Sequence, residues 1–286
     1  MNKFGLIGNP IDTSSSPALF KAGYGGRYSY DLIEGPDFNI SYGKFLDEYS
    51  GINVTAPFKL EAFSAADRKS DTCSRIGAAN LIVKTGDGTM AFNTDFDGII
   101  LSVLEAVLHE SGNEIYGRYS EGYGPAAEEV PGIYGRRPSA LVAGCGGAGR
   151  AAAMAAATLG YDTVLMNRTP EKALEIAEDM PEYGFRTARI GEFTDYFRSS
   201  DLVIYTIPGK IRELEDIGPD SWGRSGKVIL EANYRNPSFT SALIRDAAMH
   251  GCTYIPGKRW LLYQALTGFR IFTGETPDIG KMSEVL

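Results

Sequence analysis

A lysine and an aspartate stand at two places where a β-type run gives way to a helical one. Lys59 ends the run Gly51-Ile52-Asn53-Val54-Thr55-Ala56-Pro57-Phe58-Lys59, with Thr55 at the turn, and Asp95 lies in Asn93-Thr94-Asp95-Phe96-Asp97-Gly98. Asn80 opens a third strand-like run. Strand ends of α/β sheets are where ligands collect. An ammonium and a carboxylate brought together hold one another's protonation states, position a hydroxyl, and pass a proton to or from oxygen. Singly, each of these residues better suits an N-cap or a surface pair. Together they suit proton transfer at a ligand oxygen.

A second group lies near the N-terminus, where Ser14 and Ser16 follow Gly8-Asn9-Pro10-Ile11-Asp12-Thr13. Two hydroxyls at a helix start suit a carboxylate, and they suit a serine-rich capping turn equally well.

The third group is a glycine turn, Gly144-Cys145-Gly146-Gly147-Ala148-Gly149, between an apolar run and an alanine-rich one. Alone, G-x-G-x-x-G spacing is turn chemistry. Between a strand and a helix, the first glycine permits the tight turn, the second admits a pyrophosphate against the backbone, and the third lets helix and strand pack closely. Roughly 20 residues on, an NAD site places an acidic residue for the ribose 2′-hydroxyl. This chain has Asn167-Arg168-Thr169 there, with Lys172 one turn later. A guanidinium pairs with a 2′-phosphate through parallel charge-assisted bonds, so NADP is expected rather than NAD. Hydride exchange with a nicotinamide requires the proton transfer that Lys59 and Asp95 could supply.

These groups need elements to hold them. Strands are predicted over Lys3–Gly8, Tyr28–Ile33, Gly51–Val54, Leu81–Lys84 and Met90–Asn93, and helices over Ser16–Lys21, Phe38–Tyr49 and Phe58–Ala66, which makes a mixed α/β sheet. From Asp95 one apolar stripe, Ile99, Ile100, Val103, Leu104 and Val107, runs to about His109 as a helix. Glu110–Pro138 is rich in Gly, Tyr, Glu and Pro without a sustained period, and is expected to be a long surface connection. Then Ser139–Ala143, a helix to Leu159 and Thr163–Met166 form a βαβ unit; Glu171–Glu178 is the next helix, and Asp201–Ile207 and Val228–Ala232 extend a parallel, doubly wound sheet. The tail, Ser238–His250 and Trp260–Phe272, is helical again.

Composition narrows the partners. At 286 residues the chain suits two domains of ordinary size, and 43% hydrophobic residues against 22% charged allow a sizeable core. A net charge of −8 offers no basic face for a nucleic acid backbone. No apolar run approaches the roughly 20 residues that cross a bilayer, and Met1–Ile11 lacks the apolar core of a secretory signal. Cys73, Cys145 and Cys252 are odd in number and far apart, which fits a reducing cytoplasm. His109 and His250 lie too far apart to start a metal site, and no metal is expected. The expected partner is a small-molecule substrate, with no nucleic acid and no membrane, for a chain working as a monomer or homodimer.

In order and spacing, these segments resemble the shikimate dehydrogenase family over nearly the whole chain. The likeness rests on Gly5-Leu6-Ile7-Gly8-Asn9-Pro10-Ile11 with Ser14-Ser15-Ser16-Pro17, on Asn53-Val54-Thr55-Ala56-Pro57-Phe58-Lys59, on Gly77-Ala78-Ala79-Asn80 and on Asn93-Thr94-Asp95. It continues through the glycine turn, Asn167-Arg168-Thr169, Tyr234-Arg235-Asn236-Pro237 and Trp260-Leu261-Leu262-Tyr263-Gln264-Ala265. The resemblance implies a catalytic pair of Lys59 and Asp95. It implies Ser14, Ser16 and Thr55 on the substrate carboxylate with Tyr234, and Asn80, Asp95 and Gln264 on the ring hydroxyls. It implies reversible reduction of 3-dehydroshikimate to shikimate with NADPH held at Gly144, Gly146, Gly147, Ala148, Gly149, Asn167, Arg168, Thr169 and Lys172.

The fold so implied has an N-terminal mixed-sheet substrate domain, residues 1–102 completed by 255–286, and a Rossmann-type NADP domain, residues 103–254, with closure of the cleft between them. The chain departs from the family pattern at Thr13, where many members have histidine, at Tyr205-Thr206-Ile207, where Asn-Ala-Thr is usual, and at Trp260, where methionine is usual. A quinate/shikimate dehydrogenase, a related hydroxy-acid enzyme, and an NADP-binding regulator without catalysis are the alternatives.

Overall fold

The computed structural model describes residues 2–120 and 129–286. In chain order its elements begin β1 (Lys3–Gly8), α1 (Ser16–Tyr24), β2 (Ser29–Glu34), α2 (Phe38–Glu48), β3 (Gly51–Val54), α3 (Lys59–Ala65), β4 (Arg68–Lys69), α4 (Asp71–Ile76), β5 (Leu81–Thr85), β6 (Gly88–Phe92) and α5 (Asp95–Leu108). They continue with α6 (Gly112–Ser120), α7 (Glu129–Tyr134), β7 (Ser139–Ala143), α8 (Gly147–Thr158), β8 (Asp162–Asn167), α9 (Pro170–Asp179), β9 (Arg186–Arg189), α10 (Phe193–Ser199) and β10 (Leu202–Tyr205). The last are β11 (Val228–Glu231), α11 (Ser241–Met249), β12 (Thr253–Ile255), α12 (Gly257–Thr273) and α13 (Ile279–Glu284). The chain divides into two compact units, Met1–Gly98 with Leu262–Leu286, and Ile99–Leu261.

In the first unit the strand order is β2-β1-β3-β5-β6-β4. β2, β1 and β3 run parallel, β5 runs antiparallel to β3 and to β6, and β4 lies parallel to β6, so the sheet is mixed. Alternation along β1 sends successive side chains to opposite faces. Ile7 joins Ile52, Val54, Phe38 and Phe45 under α2 and α3. Phe4 stacks at 4.8 Å on Phe272 of α12, and Phe20 of α1 meets Phe269 edge-on at 4.7 Å, which brings the C-terminal helix onto the other face.

The second unit has the order β12-β11-β10-β7-β8-β9, all parallel, the doubly wound arrangement whose ligand crevice lies at the strand C-termini. Ala151 to Ala153, Ala155 and Ala156 of α8 are wholly buried, which lets that helix lie close on its sheet. Phe193, Phe197, Tyr205 and Trp222 fill one side of the core.

One expectation needs correction. The composition of residues 110–138 predicts a surface connection, yet α6 and α7 form in it, with Ile115, Tyr116 and Val130 buried. Ser111 and Glu114 make a reciprocal cap: Glu114 Oε2 accepts from Ser111 N at 3.1 Å, and Ser111 Oγ accepts from Glu114 N at 3.4 Å. That S-x-x-E signature is readable, but only one adjacent apolar pair follows it, too little for a periodicity to register. Residues 121–128 of this stretch lie outside the described residues.

Candidate active site

Lys59 and Asp95 are each the first residue of a helix, α3 and α5, that follows a strand end after a short turn. The turn before Lys59 is set by Thr55, whose N–H donates to Ile7 O at 2.9 Å and whose carbonyl accepts from Phe58 N at 3.1 Å. Lys59 O accepts from Ala79 N at 2.9 Å, which ties the start of α3 to the segment that leads through Asn80 into β5. The two side chains meet with Lys59 Nζ 2.5 Å from Asp95 Oδ2, at 15% and 8% side-chain exposure. With so little water around the pair, its attraction is screened far less than at an open surface.

Asn80 organises the neighbouring groups. Its Oδ1 accepts from Thr94 N at 2.7 Å, and its Nδ2 donates to Thr94 Oγ1 at 3.1 Å and to Gln264 Oε1 at 3.2 Å. Since Thr94 immediately precedes Asp95, the Asn80 amide fixes the backbone from which the aspartate projects. Gly268 on α12 permits this approach: a Cβ there would stand 2.9 Å from Leu81 Cδ1.

The serine group is held against the same sheet edge. Ser14 Oγ donates to Ser16 Oγ at 3.2 Å and accepts from Ser16 N at 3.3 Å. Ser15 is the N-cap of α1 and makes no side-chain cap bond, while Ser14 Oγ takes the first N–H of the helix, as a serine turn would. Gly8 lets β1 and β3 close on each other, since a Cβ there would lie 2.4 Å from Thr55 Cγ2. Tyr30 donates to Asn53 Oδ1 at 2.8 Å. Burial pushes the Tyr30 phenol up, opposed by a hydrogen bond with Ser16. Tyr30, Asn53 and Thr94 thus join a cluster that sequence reasoning builds from Ser14, Ser16, Thr55, Lys59, Asn80, Asp95 and Gln264. Asn53 and Thr94 lie inside quoted motifs and are readable there; Tyr30 carries no local signal.

In the second unit, Gly144 has φ +105°, and a Cβ at Gly149 would stand 1.9 Å from Gly144 O. A Cβ at Gly146 would meet nothing within 4 Å of the protein, which leaves that side of the turn open. Thr206 closes the turn from β10, its Oγ1 donating to Gly144 O at 3.1 Å. Asn167 Oδ1 accepts from Cys145 N at 3.1 Å, joining the glycine turn to the end of β8. Gly147 and Ala148 open α8, and Arg168, Thr169 and Lys172 are exposed at the end of β8 and the start of α9. Arg150 is not part of that basic group, being buried on Asp179 at 2.6 Å and Glu175 at 3.5 Å. Tyr234 lies on the loop after β11, its hydroxyl accepting from Arg235 Nε at 3.1 Å. Of the departures, Thr13 is exposed, whereas Tyr205 and Trp260 are buried.

Comparison with known proteins points the same way as this geometry. Residues 6–82 match the shikimate dehydrogenase substrate binding domain. A shikimate dehydrogenase (NADP(+)) of Halorubrum lacusprofundi is 31% identical across 100% of this chain and 98% of its own length. One from Moorella thermoacetica is 32% identical across 98% and 91%. Among solved structures, shikimate 5-dehydrogenase from Thermus thermophilus in complex with NADP(H) and shikimate has TM-score 0.75 and 27% identity, covering 100% of this chain and 98% of that one. Quinate dehydrogenase from Corynebacterium glutamicum in complex with NAD has TM-score 0.77 over 99% and 98%, and at 23% identity shares the fold alone. With relatives above 30% identity spanning its whole length, and with both sheets arranged as described, the chain belongs to the shikimate dehydrogenase family.

Proposed function

We propose that the chain is an NADP-dependent shikimate dehydrogenase that reversibly reduces 3-dehydroshikimate to shikimate. The observation that carries this reading is the 2.5 Å contact of Lys59 Nζ with Asp95 Oδ2, beside the linked polar side chains of Asn80, Thr94 and Gln264. The second unit fits the dinucleotide. Gly144 and Gly149 make a turn no Cβ could enter, and the open side at Gly146 leaves room for a pyrophosphate. Arg168 and Lys172 would hold the 2′-phosphate, with Gly147, Ala148, Asn167 and Thr169 framing the site.

When bound, the nicotinamide gives a hydride to the ketone carbon or takes one from the alcohol. Lys59 hands its proton to the ketone oxygen as that oxygen gains negative charge, and in the reverse direction takes the hydroxyl proton. Asp95 holds the ammonium in place and accepts from a ring hydroxyl. Asn80 and Gln264 bond the ring hydroxyls, while Ser14, Ser16 and Thr55 donate to the substrate carboxylate, joined by Tyr234. All three cysteines are free and buried, which suits a reducing cytoplasm, where the chain works as a monomer or homodimer.

Initial rates with shikimate and with quinate, each with NADP⁺ and NAD⁺, test the reading. Shikimate with NADP⁺ is expected to be fastest. Faster turnover of quinate with NAD⁺ would replace it by the quinate alternative, and no turnover of any pair would replace it by the regulator.

A further inference from the structure

Glu231 ends β11 and is wholly buried, yet it has no part in the chemistry above. Its carboxylate reaches across the loop that follows. Oε1 accepts from Ser238 N, and Oε2 accepts from Phe239 N at 3.3 Å and from Tyr254 OH at 2.7 Å. Residues 232–237, with Tyr234 among them, therefore form a loop whose two ends are fastened to one side chain. A carboxyl group suits this place because its two oxygens accept from all three donors.

Other contacts stiffen the same loop. Asn233 Oδ1 accepts from Arg235 N at 3.2 Å and from Asn236 N at 3.1 Å, an Asx-type turn around Tyr234 itself. Phe239, on the return, lies edge-on to Tyr205 at 5.7 Å and 5.8 Å from Tyr254. Tyr205 is one of the residues at which this chain departs from its family, and Tyr205 OH donates to Gly209 O at 2.8 Å, so its ring is fixed. Glycine at 257 allows the base of the loop to be covered, as a Cβ there would stand 2.6 Å from Ala232 O.

The geometry points to Glu231 as a positioning residue: it fastens the loop 232–237, and with it Tyr234, the residue proposed above for the substrate carboxylate. The inference rests on the assignment of Tyr234 to that carboxylate. Preorganisation of this kind spares the entropy of ordering a loop on each binding event, so its loss appears in substrate affinity before it appears in chemistry. Glu231 never touches the substrate.

Kinetics of E231Q, Y234F and the double variant in the full-length protein provide the test. Glutamine keeps the size, the Ser238 contact and a bond to Tyr254, but turns a donor toward Phe239 N–H, so the loop loosens without a cavity. E231Q should raise KM for shikimate by about tenfold, the factor equivalent to about 1.4 kcal/mol, with kcat and NADP⁺ affinity nearly unchanged. In the Y234F background it should add little. A KM effect of equal size in both backgrounds, or none in either, overturns the inference while leaving Tyr234 on the substrate. An unchanged KM in Y234F alone overturns the assignment of Tyr234, and the inference with it. Y254F, which removes one donor and leaves the carboxylate, should give a smaller shift of the same kind; a fall in kcat alone would mark the contact as merely structural.

Discussion

Asn80 Nδ2 donates to Gln264 Oε1 across 3.2 Å, although 184 residues of sequence separate them. That contact brings the returning helix α12 against Asn80, just ahead of β5; the other side-chain partner of Asn80, Thr94, immediately precedes Asp95. If Gln264 bonds a ring hydroxyl, Gln264→Ala removes that bond and also leaves Asn80 short of a partner. KM for shikimate is then expected to rise roughly tenfold, the effect of losing one to two net hydrogen bonds. Steady-state kinetics decide, and an unchanged KM takes Gln264 out of the substrate site.

For Lys59→Ala, kcat is expected to fall by about 10²- to 10⁴-fold, the usual contribution of a positioned proton donor. NADP⁺ affinity, measured by fluorescence titration, should stay close to that of the parent, because the proposed role of Lys59 is at the reacting oxygen. Asp95→Asn should also be strongly impaired, and the double variant should be little worse than either single one, since residues acting as a unit are not additive. Additive losses would show that the 2.5 Å pair does not work as a unit.

The legible parts of this molecule are those where local chemistry dictates local structure. β1, β3 and β7 carry the bounds their apolar runs predict, and the glycine turn is where strand, turn and helix signals coincide. β9 and α10 escape a reading by pattern. β9 reads Arg186-Thr187-Ala188-Arg189, an exposed edge strand held by pairing with β8 and not by its own apolar alternation. The candidate site follows the same division. Lys59 and Asp95 are nameable because each stands at a strand-to-helix junction, whereas Tyr30 joins through a side-chain bond to Asn53 that no spacing rule anticipates. Glu231, too, is an ordinary strand-end residue until Ser238, Phe239 and Tyr254 are seen to converge on it.

The second and third glycines of the turn should separate folding from binding. Gly146 has an extended backbone, φ −85°, and open space where a Cβ would go. Gly146→Ala should thus change stability by no more than about 0.5 kcal/mol yet weaken NADP⁺ markedly, since its methyl occupies the approach of the pyrophosphate. At Gly149 the added Cβ collides with Gly144 O within the protein itself, so Gly149→Ala should destabilise by roughly 1–3 kcal/mol or more. Thermal melts with and without NADP⁺ check both. Equal loss of binding and stability in the two variants would mean that the turn does not hold the dinucleotide.

Arg168 and Lys172 are exposed at the end of β8, with no acidic residue at the corresponding position. Arg168→Ala should weaken NADP⁺ by about 10- to 100-fold, the effect of about 1.5–3 kcal/mol of charge-assisted bonding, and weaken NAD⁺ little. Because the group is solvated, the preference for NADP⁺ should narrow as salt rises. Equal losses for the two dinucleotides in a titration would place the 2′-phosphate elsewhere.

Lys227 gives the second unit a pH dependence with a definite sign. It is 1% exposed, and its ammonium caps the end of α10, donating to the carbonyls of Phe197, of Arg198 at 3.3 Å and of Ser200 at 2.7 Å. Acceptors at a helix C-terminus favour the cation, but burial outweighs them and pulls the pKa from 10.5 down to about 8. Between those values the unfolded chain binds more protons than the folded one, so this group's contribution to stability rises with pH through the window from about 8 to 10.5 and is flat below it. Lys227→Met removes the titration together with the cap, and should lower Tm at every pH. The gap between parent and variant should widen by several degrees from the bottom of that window to the top, at roughly 2–4 °C per kcal/mol for a unit of this size. A gap that stays constant or narrows would show that the carbonyls hold the ammonium more strongly than burial opposes it.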